Sequence, residues 1–172
     1  MPTLLPYKFV NKDDPILKIV CADVQKGMNG LENIIFTLKY ALESEKNGVG
    51  LSANQIGFPY KIFAISFEDP DSEKGKMIQE VLLNPKILWT SKREKEELEG
   101  CLSLPGVWGY VKRPIEVKLE ALNENFEKKV FRAKGFLARV IQHEVDHLNG
   151  ILFVERITDK SKIKISKEKP VS

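Results

Sequence analysis

Both histidines of the chain stand four residues apart, in Gln142-His143-Glu144-Val145-Asp146-His147. On an α-helix, at about 100° per residue, positions i and i+4 differ by about 40°, so the two imidazoles project side by side toward one point. One helix thereby offers two nitrogens to one metal ion. Glu144 is rotated one step further, close enough to reach a water beside such an ion without being a ligand, which supplies a general base. The flanking residues fit a helix. Phe136, Val140, His143 and His147 share a stripe with Leu137, Ile141 and Leu148 beside it, while Arg139, Gln142, Asp146 and Asn149 form an opposite, polar stripe. Gly135 opens the segment and Gly150 closes it, where a left-handed C-terminal residue is expected. The histidines therefore border the apolar face and point inward. The plain alternative is two core histidines with no metal; a glutamate at the position hydrolysis needs argues against it.

Two imidazoles do not complete a hydrolytic metal site, which takes three protein ligands and leaves one position open. No third histidine exists in the chain. Among downstream carboxylates, Glu155 follows too closely and Glu168 lies in a lysine-rich tail. The cysteines Cys21 and Cys101 remain as candidates.

Two further stretches stand out: Gly48-Val49-Gly50-Leu51-Ser52-Ala53-Asn54-Gln55-Ile56-Gly57 and Glu99-Gly100-Cys101-Leu102-Ser103-Leu104-Pro105-Gly106. With the histidine segment they resemble, in order and spacing, the three signature motifs of the peptide deformylases: a Gly-x-Gly-Leu-Ala-Ala-x-Gln loop, Glu-Gly-Cys-Leu-Ser and His-Glu-x-x-His. Pro15-x-Leu17 and Asn84-Pro85 extend the resemblance over roughly residues 10 to 157.

The resemblance implies an α+β fold in which antiparallel sheets embrace a central metal-binding helix carrying His-Glu-x-x-His. It implies Cys101, His143 and His147 as ligands of one divalent metal, Fe²⁺ by family habit, although a thiolate and two imidazoles suit Zn²⁺, Ni²⁺ or Co²⁺ alike. It implies hydrolysis of the formyl group on the N-terminal formylmethionine of nascent polypeptides, releasing formate. Glu144 would take the proton of the attacking water; the side-chain amide of Gln55 and the backbone N–H of Leu102 would stabilise charge on the formyl oxygen. The peptide would lie extended beside Val49-Gly50-Leu51 and Gly100 in the manner of an added strand. Phe136 and Val140 are expected to wall the methionine pocket, with Arg139 outside it. Glu99 and Asp146 are candidates to orient a histidine N–H or to pair with Arg113. The chain departs from the commonest family pattern at Ser52, where alanine is frequent, and at Trp108, which bears on peptide preference. It also ends soon after Ile157 without a long C-terminal helix, which leaves transient ribosome association less secure than catalysis. Two other classes compete: a zinc metallopeptidase with a carboxylate ligand, and a catalytically silent metal-binding relative.

Composition bounds these readings. With 172 residues, 42% hydrophobic and 30% charged, one compact domain over 1–172 can bury a real core. There is no apolar run of membrane-spanning length and no signal-peptide pattern at Met1-Pro2-Thr3-Leu4-Leu5-Pro6, so a cytoplasmic location and no membrane partner are expected. Two distant cysteines do not make a disulfide framework, and Cys21 reads as a small buried hydrophobe. A net charge of +3 does not call for DNA.

Along the chain, Leu31 to Ser44 carries apolar residues at helical spacing after Asn29-Gly30, and Lys61 to Phe67 reads as a strand. Glu68 to Gly75 reads as a polar loop, and Val81 to Thr90 as a strand broken at Pro85. Lys92 to Glu97 reads as a solvated turn or edge strand. Val107 to Val111 and Ile115 to Leu119 are strands, and Asn123-Glu124-Asn125 turns into a return strand at Lys129 to Ala133. A short basic tail starts near residue 160.

Overall fold

A computed structural model gives the structure of residues 1–45, 48–68 and 77–166. Helix α1 (Leu31–Ser44) begins after Gly30, whose φ of 76° ends the preceding turn. Its apolar residues Leu31, Ile34, Ile35, Leu38, Ala41 and Leu42 are all buried, as their spacing requires. After it come β1 (Gly50–Ser52), one turn of 3-10 helix (Ala53–Ile56) and β2 (Ile62–Glu68). Strands β3 (Met77–Thr90), β4 (Glu94–Cys101), β5 (Leu104–Pro114), β6 (Glu116–Leu122) and β7 (Lys128–Lys134) precede helix α2 (Gly135–Leu148). Strand β8 (Ile163–Ile165) follows.

The strands form two antiparallel sheets, ordered β1-β2-β3-β6-β7 and β4-β5-β8. The class is therefore α+β. Helix α2 packs against β1, β2, β6 and β7 of the larger sheet and against β5 of the smaller one. One apolar cluster joins α1 to β1, β2 and β3, and a second joins α2 to β2, β3, β6 and β7. A third gathers Val10, Leu17, Leu104, Val111, Phe153 and Ile157.

Two expectations change. The break at Pro85 is a bulge inside one continuous strand: pairing with β6 shifts register between Leu83 and Lys86, and Asn84 takes a φ of 48°. The turned-out Asn84 side chain bonds both the N–H and the carbonyl of Val24, at 2.8 and 2.9 Å, which ties the early chain to the sheet. The polar stripe of α2 is also not a solvated face, because Arg139, Gln142 and Asp146 are buried and find partners on β4, β5 and the segment after α2. The segment from Lys92 to Glu97 is mostly edge strand β4, and the chain near residue 160 turns into β8. The polar loop expected before residue 76 and the end of the basic tail lie outside the described residues. No helix among the described residues is long and apolar enough to cross a membrane.

Candidate active site

Three chain segments meet at α2. Cys101 ends β4, Gln55 sits in the 3-10 turn after β1, and His143, Glu144 and His147 come from α2 itself. His147 Nε2 lies 3.2 Å from Cys101 Sγ and 3.2 Å from His143 Nε2, and the three donor atoms all fall within 4.8 Å of one another. With ligand bonds of about 2.0–2.3 Å, a tetrahedral site separates its donors by roughly 3.3–3.6 Å. One soft sulfur and two ring nitrogens at this spacing fit a first-row divalent ion. Cys21 is elsewhere, buried in the second apolar cluster, where burial pushes its thiol up to about 11 against the pull of Lys61. Glu155 is occupied with Lys18 and with the N–H of Leu152, and Glu168 lies outside the described residues.

The His143 ring is oriented from behind, whereas His147 Nδ1 has no hydrogen-bond partner among the described residues. His143 Nδ1 lies 3.1 Å from Glu99 Oε2, so the carboxylate accepts a hydrogen bond from Nδ1–H and turns Nε2 toward the trio. Glu99 is itself gripped by Arg113, Nε at 2.7 and Nη2 at 3.0 Å, and by Arg139 Nη1 at 2.6 Å. Arg113 Nη1 also donates to Asp146 at 2.8 Å, and Arg156 closes the network on Asp146. Both guesses for Glu99 are thus realised together: it orients a histidine and pairs with Arg113. Among the described residues, Asp146 pairs only with Arg113 and Arg156. Burial alone would raise the Glu99 carboxyl, but bonds from His143 and Arg113 hold it at about 2.

Burial disfavours charge on both imidazoles. Hydrogen bonds with Cys101 and Glu99 overcome this at His143, raised to about 10, whereas burial and the neighbouring His143 hold His147 well below the ordinary range. A proton held by this trio is what a divalent cation displaces on binding. Glu144 is 4% exposed, and burial pushes its carboxyl up to about 7 against the pull of His143 and Ser52. Its Oε2 has no hydrogen-bond partner among the described residues, which leaves a lone pair free for a water proton.

The sequence profile described as Polypeptide deformylase matches residues 6–163. The chain belongs to the peptide deformylase family. A peptide deformylase of Natranaerobius thermophilus is 38% identical over 149 residues, covering 87% of this chain and 90% of that protein. Among solved structures, a Met-Ala-Ser-bound class I type b peptide deformylase from Acinetobacter baumannii is similar, with a TM-score of 0.78 and 35% identity over 91% of this chain and 100% of that one. A peptide deformylase from Synechococcus elongatus in complex with actinonin gives a TM-score of 0.81 and 35% identity, covering 91% of this chain and 83% of that one.

The remaining residues singled out from the deformylase motifs divide into two groups. Val49, Gly50 and Leu51 run along β1 and its approach; the Leu51 side chain is fully buried, so only its backbone is available to a peptide. A Cβ on Gly50 would stand 2.6 Å from Glu144 Oε1 and 2.8 Å from Val140 Cγ1, which places Val140 and Glu144 directly beneath β1. Gly100 pairs with Trp108 in the β4–β5 ladder and lies under its indole ring. Leu102 occupies the turn after Cys101. Phe136, one turn before Val140 on α2, is 63% exposed and borders a cavity of about 310 Å³ at the start of the helix. Arg139 lines that same cavity with Glu97, Pro114 and Ile115. A residue on the polar stripe of a helix reaches a pocket wall here because β4 and β5 cover that stripe.

Ser103 and Asn54 sit inside the two loop motifs, but spacing alone gives neither a role. Ser103 Oγ lies 3.4 Å from Gln55 Nε2, and Asn54 Nδ2 donates to the carbonyl of His147 at 2.8 Å, pinning the Gln55 turn to α2. Neither contact follows from spacing, since each joins segments far apart in the chain.

Proposed function

We propose that this chain removes the formyl group from N-terminal formylmethionine of nascent polypeptides, using one divalent metal held by Cys101, His143 and His147. The observation that carries the reading is the convergence of those three donors beside a buried carboxylate with a free oxygen. The bound metal supplies Lewis acidity, lowering the pKa of water and polarising a carbonyl oxygen. Fe²⁺ is the proposed ion on the family resemblance, since the donors accept Zn²⁺, Ni²⁺ and Co²⁺ as well.

The protein's own part is positioning and proton transfer. Glu144 accepts a proton from the attacking water as the water oxygen bonds to the formyl carbon. It returns that proton to the amide nitrogen as the C–N bond breaks, leaving formate and a free amino terminus. Gln55 Nε2, 3.4 Å from Cys101 Sγ, and the N–H of Leu102 face the developing negative charge on the formyl oxygen. The peptide backbone runs along Val49, Gly50 and Leu51 on one side and Gly100 on the other. Phe136 and Val140 wall the methionine side chain. The Met-Ala-Ser found on the Acinetobacter baumannii relative supports a peptide of this kind. α2, in contact with both sheets, serves as the central element of the single domain. Substrates of this class place the protein in the cytoplasm, in transient contact with ribosomes and not with DNA or membrane.

Formate release from formyl-Met-Ala-Ser tests the reading, measured on anaerobically prepared Fe²⁺ protein beside Glu144→Gln. The parent is expected to release formate, and the variant to keep its metal while losing roughly 10²–10⁴-fold in rate. Cleavage of unformylated peptides by the parent would favour a metallopeptidase instead. Equal inactivity of both, at one metal per chain, would leave a binding protein.

A further inference from the structure

Ser52 occupies the position where the deformylase loop pattern carries alanine, and it is fully enclosed. Its hydroxyl donates to Gln55 Oε1 at 2.8 Å, and its backbone N–H donates to the same oxygen at 3.0 Å. The backbone bond needs no particular side chain; the hydroxyl bond is this chain's addition. With two donors on Oε1, the carboxamide turns its Nε2 toward Cys101 Sγ and Ser103 Oγ, each at 3.4 Å. A half-turn of the amide would set the Ser52 backbone N–H against NH2 and forfeit both bonds on Oε1, so the observed orientation is the one Ser52 favours.

We propose that Ser52 is a positioning residue for formyl hydrolysis, its hydroxyl locking the Gln55 carboxamide with Nε2 toward the formyl oxygen. This rests on the role given to Gln55 above. An oxyanion donor contributes most when its orientation is set before the reaction, because no reorganisation is then needed as charge develops. The hydroxyl also borders Glu144. It has one proton to give; Glu144 competes for it, and the 2.8 Å approach to Gln55 Oε1 favours Gln55.

A double-mutant cycle separates these possibilities. The parent, Ser52→Ala, Gln55→Ala and the double variant are loaded with the same metal, and kcat and KM are measured on formyl-Met-Ala-Ser. Alanine is the loop pattern's own residue at position 52, so Ser52→Ala is expected to fold and bind metal as the parent does. Its kcat should fall roughly three- to tenfold, the worth of one neutral hydrogen bond, with KM within about twofold. Gln55→Ala should lower kcat by roughly 10²–10³-fold. In the Gln55→Ala background, Ser52→Ala should change kcat by less than about 1.5-fold, because the group it orients is gone. An equal Ser52→Ala effect in both backgrounds would mean that the hydroxyl serves Glu144, and would overturn the proposal. An unchanged kcat in Ser52→Ala, with Gln55→Ala impaired, would overturn it while leaving the Gln55 role intact. An unaffected Gln55→Ala would remove that role and this inference together.

Discussion

Replacing Arg113 by methionine tests the charge network behind the metal ligands. The Arg113 side chain is 5% exposed and makes three charge-assisted bonds, at 2.7 and 3.0 Å to Glu99 and 2.8 Å to Asp146. At about 1.5–3 kcal/mol each these would sum to roughly 4.5–9 kcal/mol. The stranded carboxylates keep some compensation, however: Glu99 retains Arg139 and His143, and Asp146 retains Arg156. The expected loss is therefore about 3–5 kcal/mol, the range seen when one member of a buried pair is removed. Urea unfolding of the metal-free proteins at pH 7, followed by circular dichroism, measures it without contribution from metal binding. The pH dependence gives the sign. Glu99 is held at about 2 in the folded protein against an ordinary value of 4.5, so its share of stability is complete above pH 4.5 and lost as pH falls toward 2. The gap between parent and Arg113→Met should accordingly narrow across that window. A gap below about 1 kcal/mol at pH 7, the scale of an exposed ion pair, would refute the reasoning, as would a gap that widens in acid.

Gly50→Ala should lower kcat by roughly 10-fold or more and cost about 1–3 kcal/mol of stability, since the new methyl meets both the Glu144 carboxylate tip and the buried Val140 Cγ1; formate release beside a melting curve checks both. Cys101→Ala should lose its divalent metal to a chelator at concentrations that leave the parent loaded, whereas Cys21→Ala should not, and metal analysis after dialysis distinguishes them. The Cys21 thiol, raised from 9.0 to about 11 by burial, stabilises the fold below pH 9 and loses that contribution as pH rises toward 11. At 1.36 kcal/mol per unit this is about 3 kcal/mol, so the stability of the parent relative to Cys21→Ala should decline between pH 9 and 11; a flat difference would contradict the burial argument.

The helices were readable because their information is local. The apolar spacing from Leu31 to Ser44 and the glycines flanking α2 define both segments, and the structure places them at those bounds. The hairpin through Asn123-Glu124-Asn125 was legible for the same reason. Strand β3 was misread at Pro85, because a bulge that keeps a strand continuous depends on its β6 partner and on Val24, neither of which is near in sequence. The burial of Arg139 was equally out of reach of the sequence: its partners on β4 and β5 lie 28 to 44 residues away.

What the sequence determined by itself is the set of candidate groups: two imidazoles four residues apart, a carboxylate between them, and, through the motifs, a cysteine and a glutamine. Helical geometry converts that spacing directly into proximity. Only the tertiary structure decided how those groups are held. It put Glu99 behind His143 and built the Arg113, Arg139, Asp146 and Arg156 network around it. It also turned Gln55 through the hydroxyl of Ser52. These contacts join surfaces that meet only when both sheets close on α2, and a buried charge commits to a partner only once water has been excluded from around it.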